Sequence, residues 1–521
     1  MKINLIVDLD IHAFSGSGIT EYVSGLTNCS THSNFSMADG EYEVTQRPSI
    51  DITEDATTIG ALNMRGRGIY YWEQTTSLYI VHDNDVYADT QDSTALVVST
   101  GTFATGTERV YILETIGVPR LVFLDPENDR GFYMGVGETL NLIASNFPTT
   151  LCHGGAVLDS YIFVMDEDGF IYNSDPDDPT VWNALSFLEA ERENDKGVYL
   201  GKHHDHIFAL GTRTIEFFYD AGNNPGSPLN RRQDISYNIG CGDGQGVWEN
   251  GDITYFIGSN PTGHLAVYKM ENFKVQPISN DSMNSYLTQG LTQETIRVVI
   301  NGMSAMGHDT LLMTIYVLTG AAPGTINPVH TFSYDTFSGK WGFWVTELNG
   351  HNSMPIMAFT KRTGGHNAIA SARPGEGILA NGDIVSVNDK LIPIDTLLGG
   401  DGVYEAGVYE DDIYVIGSSD VGTNISCTLR TGLVDGGIRG YKFQNSEYVL
   451  MENTPNSQTI TIKHSDEAGD NFDSGNTIDT SDDRKELYQG GRFMKRNFQL
   501  EYSGSDQFFI ESFHADLEAG E

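Results

Sequence analysis

"GTRTIEFFYDAG", Gly211 to Gly222, sets a run of aliphatic and aromatic side chains behind a Thr-Arg-Thr step and closes on a glycine turn. In an extended chain successive side chains point to opposite faces, so Ile215, Phe217 and Tyr219 fall on one side and Thr214, Glu216 and Phe218 on the other. The segment reads as a strand. Just ahead, "HIFAL" (His206 to Leu210) is a second β-prone run, and the Gly211-Thr212 break between them suits a hairpin turn. A lone hairpin does not bury enough surface to be stable in water, so this one has to be stacked against something. Arg213 is expected beside Glu216 or at an interface.

The unit recurs. "LDSYIFVMDEDGFIYNS" lies upstream and "GDITYFIGSNPTGHLAVYKM" downstream, each with a polar turn, a short apolar strand, a Gly-containing turn and a second strand with Tyr near its end. Asp159, Asp205 and Asp252 mark equivalent points, 46 residues (205 − 159) and 47 residues (252 − 205) apart. That is the size of a β-propeller blade, about 40 to 50 residues. Looser copies begin at Ser77, Glu108, His308 and Asn367, which gives six or seven blades. Radial stacking would let each hairpin cover its neighbour's face.

Composition agrees with an all-β chain. Glycine is abundant, at 57 of 521 residues, and short apolar runs are broken repeatedly by Gly, Asn and Asp. Two segments read as helix: "VWNALSFLEAERE", Val181 to Glu193, on its Ala, Leu and Glu content, and the weaker "NDSMNSYLTQGL" from Asn280. The domain plan is an N-terminal arm or assembly segment over 1–65, a β-propeller over 66–399 and a C-terminal β-sandwich-like domain over 400–521. Within the last, "SQTITIKH" and "MKRNFQLEYSG" read as strands and the polar tract Ser465 to Glu486 as a long exposed loop; "GVYEDDIYVIG", Gly407 to Gly417, reads as a further strand.

With 71 acids against 30 bases the formal charge is −41, spread along the chain without a basic stripe to neutralise phosphates, which argues against a protein that wraps nucleic acid. Cys29, Cys152, Cys241 and Cys427 are too dispersed for a metal knuckle or a disulfide framework and are expected as buried thiols. The opening "MKINLIVDLDIHAF" carries acids inside its apolar stretch, and no run approaches the roughly 18 apolar residues of a membrane span, so neither export nor anchoring is expected.

Few groups suggest chemistry. In "GKHHDHIF", His204 and His206 would share one face of a strand beside His203, as two ligands of a zinc or nickel site might be arranged, but no third ligand follows at suitable spacing, and a polar turn is expected. "SDPDDPTVW" (Ser174 to Trp182) nearly matches the S-x-D-x-G-x-T-W turn of sialidase propellers, which is itself a structural element. "DEDG" at Asp166 and "DNDV" at Asp83 lack the rest of a calcium loop and read as hairpin turns. There is no G-x-S-x-G, Walker A, Rossmann or H-E-x-x-H motif. No catalytic, cofactor-binding or metal residue is assigned, and a non-enzymatic role is expected.

Six segments occur in a telling order: "TQRPSID" from Thr45, "GRGIYYWE" from Gly66, "WNALSFLEAE" from Trp182, "GTRTIEFFYDAG", "GCGDGQGVWENGDITYFIG" from Gly240 and "GGRFMKRNFQLEYSG" from Gly490. From about residue 40 onward the chain resembles the tail nozzle proteins of short-tailed bacteriophages, also called packaged-DNA stabilisation or head-completion proteins. The resemblance implies a homohexameric ring below the portal and its adaptor in the virion tail, made in the host cytoplasm. That ring would pass genomic DNA without reading its sequence, retain it, and carry tail fibres or a needle or plug. Competing expectations are a propeller glycan hydrolase or depolymerase, which needs two carboxylates about 5 to 10 Å apart in a pocket, and a monomeric glycan-binding propeller.

Overall fold

A computed structural model describes residues 2–5, 25–32, 43–47, 50–52, 66–82, 84–89, 96–99, 103–104, 106, 108–137, 139–190, 195–292, 296–305, 308–318, 326–345, 356–361, 367–371, 403–406, 419–420, 423–437, 440–467 and 471–520. The described chain is almost entirely β, with an α-helix at Asp281–Thr292 where the weaker helical pattern lay.

Seven blades follow one another among the described residues, each built on four antiparallel strands running outward from the axis; His153–Gly154 adds in parallel to blade four and Gly240–Cys241 adds to blade five. Their innermost strands are Gly66–Trp72, Tyr111–Glu114, Ala156–Leu158, Gly197–His203, Val247–Asn250, Ile296–Ala305 and Ile356–Lys361. Asp159, Asp205 and Asp252 fall in the turn between first and second strand of blades three, four and five, so the repeat was read in the right register. The ring is closed by chain from its other end: Ile50–Ile52, ahead of blade one, pairs with Val403–Ala406 as the outermost strand of blade seven. Blade seven in turn meets blade one, where the Tyr71 amide donates to Thr360 Oγ1 at 3.2 Å and Ala358 packs with Ile69, Tyr71 and Ile80.

The stacking explains the opening segment. His206–Gly211 and Ile215–Asp220 form the central hairpin of blade four, with Leu210 opposite Ile215 and Phe208 opposite Phe217. Phe218 packs with Ile207, Phe163 and Met165 toward blade three, while Phe217 packs with Phe208, Phe256 and Tyr268 toward blade five. A sheet held between two others must be apolar on both faces, and fully burying one such side chain contributes roughly 1.5 to 3 kcal/mol. The Thr-Arg-Thr step wraps a carboxylate: Asp195 accepts from the amides of Arg213 (2.9 Å) and Thr214 (2.8 Å) and from both threonine hydroxyls. Glu216 pairs at 3.1 Å with Arg231 of the adjacent strand, which stands opposite Phe218 past a bulge in the ladder.

Two expectations are corrected. Val181 to Glu193 is not helical through its described part; the strand Asp178–Glu189 is the outermost strand of blade three. Helix-favouring composition lost to Trp182, buried edge-on against Phe147 in the core between blades two and three, and to pairing with Phe170–Asp175. The tract Ser465 to Glu486 is not loop throughout, since Asn476–Asp479 pairs with Thr459–Ser465.

The described strands before Gly66 do not form a separate arm. Gly25–Thr27, Cys29–His32 and Glu43–Gln46 are strands of the C-terminal sandwich. One sheet runs Cys29–His32, Glu43–Gln46, Phe509–Ala519, Lys442–Met451, Glu486–Phe493; the other runs Gly25–Thr27, Cys427–Arg430, Asn497–Tyr502, Thr459–Ser465, Asn476–Asp479. Their shared core includes Leu26, Val44, Ile460, Phe498, Leu500 and Phe513. Gly25–Thr27 also pairs in parallel with Lys340–Phe343, the outer strand of blade six, so one nine-stranded sheet passes from propeller into sandwich. Gly342 permits that approach: a Cβ there would lie 2.8 Å from the Leu26 carbonyl oxygen. The 407–417 strand expectation lies outside the described residues, as do Asp83 and 372–402.

Candidate functional site

The propeller axis is sealed. Arg109, buried just ahead of the innermost strand of blade two, sends its guanidinium across the hub. Nε donates to the Met357 carbonyl (2.9 Å) on blade seven, Nη1 to that of Val247 (3.4 Å) on blade five, and Nη2 to that of Ile300 (2.8 Å) and to Asn301 Oδ1 (2.7 Å) on blade six. One side chain thus joins four blades. Its neighbour Gln245 completes the girdle, its side-chain oxygen taking the Arg109 amide at 3.2 Å and its carbonyl the Ile300 amide at 3.1 Å. Arg suits the place because its planar fork carries five donors and stays charged. The signal in the sequence is faint, a lone cation between Glu108 and the apolar run Val110 to Leu113.

Above that seal the axis widens into a cavity of about 530 Å³ lined by Glu108, Glu127, Asp129, His153, Asp243 and Arg297, among others. It opens on the face carrying the second-to-third strand turns and the links between blades. The acids act largely as staples for backbone amides: Glu127 accepts from the Glu108 amide (2.8 Å), Asp129 from that of Leu151 (2.8 Å), and Asp243 from those of Gln245 (3.0 Å) and Val298 (3.1 Å). Burial and the nearby carboxylates of Glu127 and Asp243 push Glu108 up to about 7. Burial pushes His153 down to about 3, so near neutral pH the ring is uncharged and its 3.3 Å contact with Glu108 is not an ion pair. Deeper in the ring, Glu249 accepts from the Tyr199 hydroxyl (2.9 Å) and the Lys202 amide (3.1 Å), and burial raises it to about 7.

The histidines singled out from sequence do come together, though not as drawn. His203 ends one strand, His204 and Asp205 form the turn, and His206 begins the next, so His204 does not share a strand face with His206. All three rings surround Phe273 of blade five, with centroids at 4.9, 5.6 and 5.0 Å. His203 Nε2 accepts the Phe273 amide at 3.2 Å, and His204 Nδ1 lies 3.0 Å from Asp252. Burial lowers His203 to about 4 and also lowers His206. Among the described residues no group of three or more His, Cys, Asp or Glu side chains is set to hold a metal. The arrangement is an aromatic box tying blade four to blade five.

The remaining motifs are turns. Asp166 Oδ1 accepts the amides of Asp168 (3.0 Å) and Phe170 (2.9 Å) inside a hairpin. In "SDPDDPTVW", Asp178 holds the amide and hydroxyl of Thr180 and reaches Arg120 of blade two at 2.9 Å. All four cysteines are free and buried, as expected. Among the described residues no helix is long and apolar enough to cross a membrane.

Seven blades around a hub crossed by one arginine define the class, an all-β propeller protein. Residues 47–319, more than half of the chain, match the family of phage stabilisation proteins described as bacteriophage P22 Gp10, beta-propeller, and the chain belongs to that family of phage structural proteins. No curated protein matches it in sequence. Similar solved structures include a streptogramin B lyase (9% identity, 62% of this chain and 95% of that one, TM-score 0.38). The WD40 repeats of RRP9 (8%, 63% and 92%, 0.38) and BamB from Moraxella catarrhalis (10%, 67% and 85%, 0.35) are others. At such scores these likenesses carry nothing further to this chain.

Proposed function

We propose that this chain forms the tail nozzle of a short-tailed phage: a homohexameric ring under the portal and adaptor that continues the DNA exit channel, retains packaged DNA and docks tail fibres or a needle or plug. The observation that carries the reading is the Arg109 seal. A propeller whose own axis is closed cannot thread a duplex, so a channel made by this chain runs between protomers, and a ring of protomers is the simplest way to enclose one. The charge of −41 supports passage rather than grip, since like-charged walls repel phosphate and bound cations screen only part of that field. The sheet shared by propeller and sandwich would keep both parts in one orientation as DNA moves past. Imaging of intact particles tests the reading: six copies around the tail axis with an acidic bore are expected, absence from the tail overturns the assignment, and a bore dominated by Lys and Arg overturns the sliding mechanism.

A second reading has one observation in its favour. Glu108, held near 7 beside other carboxylates at the propeller mouth, has the properties of a general acid in glycan hydrolysis. Polysaccharide turnover by the purified chain that disappears in Glu108→Gln would establish it.

A further inference from the structure

Two exposed apolar surfaces stand out, and they carry opposite charge. The first is the outer edge of blade three. Its strand Asp178–Glu189 has twelve residues facing only six of Phe170–Asp175, and the surplus bulges in two places, between Asp178 and Trp182 and between Trp182 and Phe187. Bulges re-aim side chains, and the second lifts Leu185 to 78% exposure, flanked by exposed Val181 and Phe187. Among the described residues Asp175, Asp177, Asp178 and Glu189 lie on this strand or the turn ahead of it, Asp178 being paired with Arg120 at 2.9 Å.

The second is the outer face of Lys442–Met451 and Glu486–Phe493 in the sandwich, the latter being the last strand of its sheet. Tyr441, Phe443, Tyr488 and Met494 are each 44 to 56% exposed there. Arg492 lies opposite Phe443 across the ladder and stacks 3.6 Å above the Tyr441 ring. Arg484, Arg492 and Lys495 are exposed on or beside this face, Arg484 paired with Glu486 at 2.7 Å, and the one exposed acid across the ladder from Phe443 is Glu518; Lys485 and Arg496 of the same run are buried. In a protein this acidic, such a concentration of cations around exposed aromatics is the exception to be explained.

We infer that these surfaces are the two halves of one head-to-tail contact, with the Leu185 knob of one copy seated on the Tyr441–Phe443–Arg492 patch of the next. The occupant is a second copy of this chain because that copy supplies what the patch lacks, an apolar knob on a strand that carries acids and no exposed cation among its described residues. Opposite charges steer the encounter and fix which surfaces meet, while the aromatic and arginine side chains supply the anchors. Two different surfaces meeting make a heterologous interface, the kind that closes into a ring. The inference rests on the ring reading above and names its contact.

Two full-length variants test it, Leu185→Asp on the knob and Arg492→Glu on the patch, with Phe443→Asp as a second patch variant; all three sites are exposed, so melting curves should stay near wild type. Each variant alone should self-associate about 100-fold more weakly than wild type by light scattering across a concentration series. Mixed, they should give one-to-one pairs and no ring, because each keeps the half that the other has lost. Rings formed equally well by the variants overturn this contact and leave the nozzle reading standing. A mixture as monomeric as its components also overturns the contact. If Arg492→Glu abolishes binding of a labelled DNA duplex and leaves self-association unchanged, the patch is a nucleic-acid surface and the inference falls.

Discussion

The propeller and the sandwich are both β, yet they are assembled from opposite kinds of connection. Blades one to six are each built on a contiguous run of chain, with His153–Gly154 from ahead of blade three added to blade four, and neighbouring blades stack in sequence order. The sandwich interleaves Gly25–Gln46 with strands that begin at Cys427, and Asn28 donates to the Ser426 carbonyl across 398 residues at 3.0 Å. Local assembly leaves a repeating pattern in the sequence; distant assembly leaves none. Where the propeller does need distant joints, at the ring closure and the hub, it uses a strand borrowed from before blade one and a single arginine. The shared nine-stranded sheet then makes the two regions neighbours in one hydrogen-bonded ladder, which raises the question of whether they unfold together.

Removing the hub is the severest way to break the comparison. Arg109→Leu strands three carbonyls and the Asn301 side chain without their donor in a buried space, and a loss of about 3 to 5 kcal/mol is expected in denaturant unfolding. Arg109→Lys, keeping the charge but not the fork, should recover less than half. If the regions are coupled, the whole transition moves; if not, a propeller transition moves alone and that of the sandwich stays.

Asn28→Ala attacks the joint from the other side. Asn28 sits at φ +55 where the chain turns from one sandwich sheet to the other. Its Oδ1 takes Arg47 Nε at 2.9 Å and the Val345 amide at 2.8 Å, the latter just past blade six. About 2 to 3 kcal/mol should be lost, and Asn28→Asp, which keeps the acceptor but not the donor to Ser426, should lose less. A gentler probe within one blade is Asp195→Ala, which frees the Arg213 and Thr214 amides; about 1 to 2 kcal/mol is expected, with hydrogen exchange quickening at that turn ahead of the rest of blade four.

How much could be read beforehand follows the same division. The hairpin around Phe217 and Phe218, the marker aspartates and the buried thiols were legible because their causes lie within one blade length. The role of Gly25–Gln46 was not, since nothing in those residues announces a partner some 400 positions away; Leu26 and Val44 show only that a strand there has one apolar side. Val181 to Glu193 misled because its Ala, Leu and Glu follow helix propensity, while Trp182 answers to a neighbouring blade. Arg109 was visible as an oddity, but its meaning depends on three other blades converging on it. The histidines were correctly grouped and wrongly oriented, because two residues of turn separate faces that an unbroken strand would have aligned.

The smallest expected effect concerns pH and sets propeller groups against one another. Glu249 and Glu108 have folded pKa values raised to about 7, so each destabilises the fold as pH climbs from the ordinary carboxylate value toward 7 and relieves it as pH falls. His203 and His153 are lowered, to about 4 and about 3, so the unfolded chain takes up their protons first and stability is lost as pH drops below about 6.5. Between about pH 4.5 and 6.5 the two slopes oppose each other, and wild-type melting should be nearly flat with pH. Glu249→Gln keeps an acceptor for the Lys202 amide while removing the acid-side gain, so its melting temperature should tilt downward toward pH 4.5 by the equivalent of about 1 kcal/mol. His203→Phe, which fits among Phe217 and Phe273, should tilt the other way by a similar amount. Parallel profiles in wild type and both variants would show that these groups are solvated as in the unfolded chain, and that the propeller interior is wetter than its packing indicates.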